Sequence, residues 1–219
     1  MSGLRALGPA SVDGAARPDL AALVSARLCH DLISPIGAIG NGVELMQLDP
    51  GGASAELDLV AGSLASALAK LRFFRLAFGP ADREGPMRGE EAAGLVEAMF
   101  AGRFRVAWPA PGEALPRGRA RLVALALLCV ERSLPLGGAA RVASDGETLV
   151  IEAEGQRVAA PEALWAEARG GPRAPGLRAD GVQFALLARA LEGEGMGLEA
   201  RFSETGIALR VAPERFEPA

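Results

Sequence analysis

His30 is the sole histidine among 219 residues, so any chemistry that needs an imidazole must run through it. It stands in Arg27-Leu28-Cys29-His30-Asp31-Leu32-Ile33-Ser34-Pro35-Ile36-Gly37, with an acid immediately after it and a proline five residues on. A free imidazole, with a pKa of about 6.5, is largely neutral at neutral pH and therefore a nucleophile. Asp31 can orient the ring or shuttle its proton, and Arg27 can hold an anion. Phosphoryl transfer asks for such parts: a nucleophile in line, positive charge near the phosphoryl oxygens, and groups that position both. The common alternative for one helical histidine is a solvated side chain without a role. The flanking acid, the proline and the glycines weigh against that alternative without naming the reaction.

Helical steps of three and four from His30 reach Arg27, Ser34, Gly37, Asn41 and Glu44, a face that is polar or small throughout. His30 is expected to point outward from it, with Ser34, Gly37 and Asn41 as contact positions for a partner. Gly37, Gly40 and Gly42 each cost a helix up to about 1 kcal/mol relative to alanine. In return they allow a second backbone to come close. Pro35 lacks the N–H that would bond the Asp31 carbonyl and is expected to kink the helix one turn past His30.

Two long helices must carry these residues. The first runs from Pro18-Asp19 to about Leu48 and stops at Asp49-Pro50-Gly51-Gly52. The second, capped by Ser54, carries Leu57, Val60, Leu64, Ala67, Leu71, Phe74 and Phe78 in alternating steps of three and four, and ends at Gly79-Pro80. Together they make an antiparallel hairpin with a facing stripe of Leu28, Leu32, Pro35, Ile39, Val43 and Met46. A lone hairpin cannot cover both apolar stripes, so a homodimer with a four-helix bundle is expected. Residues 90–219 covering the seam instead is the alternative.

Past the hairpin the pattern changes. A helix is expected at 90–101, a strand at 103–108, a helix at about 117–133, and strands at 139–144 and 147–154. Helices follow at 161–169 and 180–193, then strands at 196–203 and 206–212. Helices with mostly antiparallel strands and no βαβ alternation suggest a two-layer sandwich, making the fold class α+β. The expected organisation is a mobile arm at 1–17, the hairpin at 18–79, a linker at 80–89 and the second domain at 90–219. Pro109-Ala110-Pro111-Gly112 and Gly170-Gly171-Pro172 read as loops, and Phe73, Phe74 and Phe78 as core.

A net charge of −4 and a pI of 5.2 argue against nucleic acid or an anionic membrane as partner. The longest uninterrupted apolar run, Leu122 to Val130, is far short of the roughly 20 residues that span a bilayer. No signal-peptide core precedes it. Cys29 and Cys129 read as two buried free thiols in a reducing cytoplasm, since neither CxxC nor metal-ligand spacing is present.

His30-Asp31-Leu32-Ile33-Ser34-Pro35 resembles the H-box of histidine kinases, whose dimerisation helices form four-helix bundles. The longer run through Asn41-Gly42-Val43-Glu44-Leu45-Met46, with Leu71-Arg72-Phe73-Phe74-Arg75-Leu76-Ala77-Phe78-Gly79, resembles ChpT-type histidine phosphotransferases more closely. That family joins a dimeric helical hairpin to a domain similar to the kinase ATP-binding domain. In kinases a helix asparagine holds the nucleotide's magnesium and a Pro-x-Gly-Gly turn follows. Here Pro135-Leu136-Gly137-Gly138 keeps the turn, while Cys129 stands where asparagine would fall. A neutral thiol suits magnesium poorly. Glu154-Gly155-Gln156-Arg157-Val158-Ala159-Ala160-Pro161 lacks the adenine-contacting aspartate and paired glycines, and Gly181-Val182-Gln183-Phe184-Ala185 has lost the phosphate loop's glycines. ATP binding is therefore not expected, although Thr205-Gly206-Ile207 through Pro213 resembles the kinase domain's closing hairpin.

The resemblance implies that His30 accepts a phosphoryl group from the receiver domain of a CckA-like hybrid kinase. It would pass that group to CtrA-like and CpdR-like response regulators in cell-cycle control. Magnesium would sit in the receiver, not on this chain, which is expected to carry no cofactor. Two rivals remain: an active histidine kinase with an unconventional nucleotide site, and a non-enzymatic scaffold or inhibitor that only binds receivers.

Overall fold

The computed structural model describes residues 19–48, 54–80, 85–109, 112, 114–145 and 147–214. The expected arm at 1–17, the turn at 49–52 and the middle of the 80–89 linker lie outside them, as do parts of the 109–112 loop. Helix α1 (Leu20–Leu48) starts where the Ala21 amide donates to the Asp19 carboxylate at 2.9 Å, an N-cap that satisfies an otherwise orphaned donor. It lies against α2 (Ser54–Phe78). Gly42 sits where the two helices lie close, because a β-carbon there would come within 2.6 Å of the Val60 side chain. Its small size therefore serves α2, not an outside partner. Gly37 and Gly40, by contrast, face open space.

The remaining elements are α3 (Gly89–Met99), β1 (Phe104–Ala107), α4 (Arg117–Ser133), β2 (Gly138–Ser144), β3 (Leu149–Gly155), α5 (Glu162–Ala168), a 3-10 turn at Ala179–Gly181, α6 (Val182–Glu194), β4 (Met196–Phe202) and β5 (Gly206–Pro213). They form a five-stranded sheet in the order β1-β2-β3-β5-β4, antiparallel except for the parallel pair β1 and β2. That pair corrects one expectation: α4 is the crossover of a βαβ unit, because parallel neighbours cannot be joined by a hairpin. One sheet face, with Val142, Ile151, Leu209 and Val211, is buried under the helices, and the other shows Arg141, Glu152 and Arg210 to solvent. The fold is thus α+β, a helical hairpin beside a two-layer α/β sandwich.

Helix α4 is buried from Leu122 to Val130, which accounts for that run as a core helix apolar on all sides. Phe73 of α2 packs edge-on against Phe100, which packs edge-on against Phe104, at ring separations of 5.2 and 5.3 Å. One continuous core thereby runs from the hairpin into the sandwich.

Helix α1 meets the length and mean apolarity of a membrane span, which counting uninterrupted runs did not reveal. It also holds Arg27, Asp31 and Glu44 along its length, and charges are costly at membrane depth. Its excess apolarity is a second stripe. Cys29, Ile33, Ile36 and Val43 face away from α2 and are exposed, Ile33 at 70%. Cys29 is therefore not a buried thiol, whereas Cys129 is. On α2, Leu57, Leu64 and Leu71 are likewise open, while Val60, Ala67 and Phe74 turn inward. Val43, expected within the covered stripe, belongs to this open surface.

Candidate functional site

The His30 side chain is 84% exposed, beside an Asp31 side chain that is only 15% exposed. Its Nδ1 lies 2.9 Å from Asp31 Oδ1. An ionised carboxylate only accepts hydrogen bonds, so this contact requires the proton on Nδ1. The Nε2 lone pair is then left facing solvent. Asp31 Oδ2 accepts from Arg27 Nε at 2.6 Å, a pair spaced one helical turn apart. Arg27 also donates through Nη1 to the Asp180 carbonyl at 3.4 Å. Its head group is turned under the second layer of the fold and not toward the open side of α1.

Pro35 lies buried within α1, which continues through it as one element. The carbonyl that Pro35 leaves without a partner, that of Asp31, accepts from Lys70 Nζ at 3.1 Å. Lys70 is the chain's single lysine, and sequence reasoning passed over it. Folding the hairpin about its turn sets position 70 opposite position 31, so the freed carbonyl was the signal that could have found it. Ser34, Gly37 and Asn41 are all exposed on the His30 side of α1. The predicted residues thus share one helix, but they divide into an open set (His30, Ser34, Gly37, Asn41) and a held set (Arg27, Asp31).

Two further residues enter from elsewhere. Glu131 of α4 has its carboxyl pushed up by burial, with Arg27 drawing it back, Asp31 adding to the rise, and Lys70 and Arg103 drawing it back. Asp180 of the 3-10 turn pairs through its carboxylate with Arg132 at 3.2 Å, and its carbonyl also accepts from Gln183 at 3.0 Å. Neither was visible as a neighbour of Arg27, since both approach it only through tertiary packing.

The positions that the kinase resemblance would give to nucleotide contacts are buried. Cys129 is fully buried, and burial pushes its thiol well above the ordinary range, so it stays a neutral, poor ligand for magnesium. Its carbonyl accepts from Ser133 Oγ at 2.9 Å, and that Oγ accepts from Trp165 Nε1 at 3.0 Å. The Trp165 ring meets Phe184 edge-on at 5.1 Å and Phe202 at 5.2 Å. Val182 and Phe184, at the start of α6, are both fully buried where a phosphate loop would need open backbone. The retained Pro135–Gly138 turn has its own reason: Gly137 takes φ +84°, and a β-carbon on Gly138 would collide with the Glu154 carbonyl.

A family model, the histidine phosphotransferase C-terminal domain, matches residues 89–206. The chain is 34% identical over 150 residues to the protein phosphotransferase ChpT of Brucella abortus (strain 2308), covering 65% of this chain and 71% of that one. It also superposes on a bacterial phosphotransferase structure solved at 1.7 Å, with a TM-score of 0.73 at 28% identity, covering 91% of this chain and 98% of the other. A helical hairpin fused to a two-layer α/β sandwich agrees with those matches, and the chain belongs to the ChpT-type histidine phosphotransferase family.

Proposed function

We propose that His30 is the phosphoryl carrier of a relay between receiver domains. The observation that carries this reading is the exposed ring with Nδ1 held by Asp31 and Nε2 free. In the forward step Nε2 attacks the phosphorus of a receiver's phospho-aspartate. The N–P bond forms, the P–O bond to the aspartyl carboxylate breaks, and that carboxylate leaves with the electron pair. The Nδ1 proton stays on the ring, where the Asp31 carboxylate offsets the positive charge that develops. The second transfer is the same reaction in reverse, onto another receiver's aspartate. Magnesium belongs to the receiver's acidic pocket. Ser34, Gly37 and Asn41 give the approaching receiver a low, polar surface beside the ring.

By family resemblance the donor is a CckA-like hybrid kinase and the acceptors are CtrA-like and CpdR-like regulators, in cytoplasmic cell-cycle signalling. The working unit is a homodimer. The open stripes of Ile33, Ile36 and Val43 on α1 and Leu57, Leu64 and Leu71 on α2 are what a second hairpin would cover. Purified protein incubated with a phosphorylated hybrid-kinase receiver tests the reading. Wild type takes up label and His30→Ala does not, although it still binds the receiver. Binding without labelling of wild type would favour a scaffold, and labelling from ATP alone a kinase.

A further inference from the structure

We propose that Arg27 is a positioning residue, which sets the reactive form of His30 through Asp31 and ties that setting to the seating of the second domain. The inference rests on His30 being the phosphoryl carrier. It replaces direct contact between Arg27 and the phosphoryl group.

The geometry carries the argument. Every oxygen of Asp31 is engaged: Oδ1 by His30 at 2.9 Å, Oδ2 by Arg27 at 2.6 Å, and the main-chain carbonyl by Lys70 at 3.1 Å. A carboxylate with only one partner rotates about its last torsion, whereas one gripped on both oxygens cannot. The imidazole itself is too exposed to be held by packing, so among the described residues its tautomer is set by the orientation of Asp31. Arg27 is in turn anchored on Asp180, whose carbonyl it shares with Gln183 and whose carboxylate is held by Arg132 of α4. The chain of contacts runs from the sandwich, through one guanidinium, to the ring. Among the described residues, Arg27 on α1 pairs with Asp31 and Lys70 on α2 bonds its carbonyl, while Glu131 on α4 feels Arg27, Asp31, Lys70 and Arg103, and Arg132 pairs with Asp180.

A single histidine makes the test clean, because a long-range ¹H–¹⁵N spectrum of imidazole-labelled protein shows one ring. In wild type the neutral ring is expected with its proton on Nδ1. In Arg27→Gln, which keeps most of the side chain's stem, the populations shift toward those of free imidazole. Phosphotransfer from a phosphorylated receiver then falls roughly ten- to a hundredfold, as for outer partners that orient ligating side chains. Receiver affinity is unchanged. Arg27→Lys, which restores a cation beside Asp31, returns part of the wild-type tautomer and rate. If Arg27→Gln fails to fold, Lys70→Met removes the other anchor and is read by the same spectrum.

An unmoved tautomer with a lowered rate would place Arg27 on the phosphoryl group or the receiver and overturn the inference. A wild-type ring protonated on Nε2 would also overturn it. If no receiver ever labels wild type, the carrier reading fails, and the tautomer spectrum still reports separately on the Arg27 linkage.

Discussion

The outer face of α1 and the interior between α4, α5 and α6 belong to one fold but are built to opposite ends. Around His30 the side chains are open or held by hydrogen bonds, and the apolar residues beside them are uncovered. Between Trp165, Phe184 and Ser133 the side chains are buried against one another, and the polar atoms there, Ser133 Oγ and Trp165 Nε1, bond to each other. A region that must meet a partner keeps exposure and small residues. A region packed with aromatic carbon instead contributes folding energy. The Pro135–Gly138 turn has a backbone reason of its own, since its geometry is needed whether or not anything binds beside it.

Substitutions sharpen that contrast. In the filled region, Trp165→Ala removes a fully buried ring and should cost about 3–5 kcal/mol of stability. Denaturant unfolding at fixed protein concentration checks this. A loss below about 1 kcal/mol would mean that the region is not packed as described. On the open face, Leu64→Glu places a charge on an exposed apolar stripe. It should leave the monomer's fold intact while sedimentation shows the dimer lost; a dimer that persists would break the assignment of that stripe.

Glu131 stands between the two regions, and its effect is smaller. Its carboxyl is raised in the folded protein, mainly by burial, so the native state holds this proton more tightly than the unfolded chain does. Its presence therefore leaves stability intact below the ordinary glutamate range and lowers it as pH rises through the shifted value. Glu131→Gln should abolish that decline, so the gap between variant and wild type in urea titrations widens with pH above the ordinary range. Parallel curves would contradict the assignment. The smallest effect is chemical. In native protein, iodoacetamide should label Cys29, which is exposed, and spare Cys129, whose thiol is buried and held neutral.

Much of this was legible in the chain. Periodicity and turn residues placed α2 at Ser54–Phe78 and α4 at Arg117–Ser133 as observed. The lone histidine with its neighbouring acid pointed to a pair that the structure brings into contact. The parallel pairing of β1 with β2 was not legible, because strand order is decided by packing across the sheet and not by local pattern. The open side of α1 was misjudged because one stripe was assumed where two exist, so Cys29 was taken for core and Ile33 and Ile36 were overlooked. Gly42 was read as an outside contact although it serves α2. Lys70, Glu131 and Asp180 come from three separate elements, and only the Lys70 link left a local trace, in the carbonyl orphaned by Pro35.

The most direct test of the central claim is to incubate the protein with a phosphorylated hybrid-kinase receiver and map the labelled peptide by mass spectrometry under conditions that preserve phosphohistidine. Phosphate on His30, transferable to a second receiver and absent when the protein is given ATP alone, is the expected result. A protein that stays unlabelled by receivers, or that labels itself from ATP, would contradict the account.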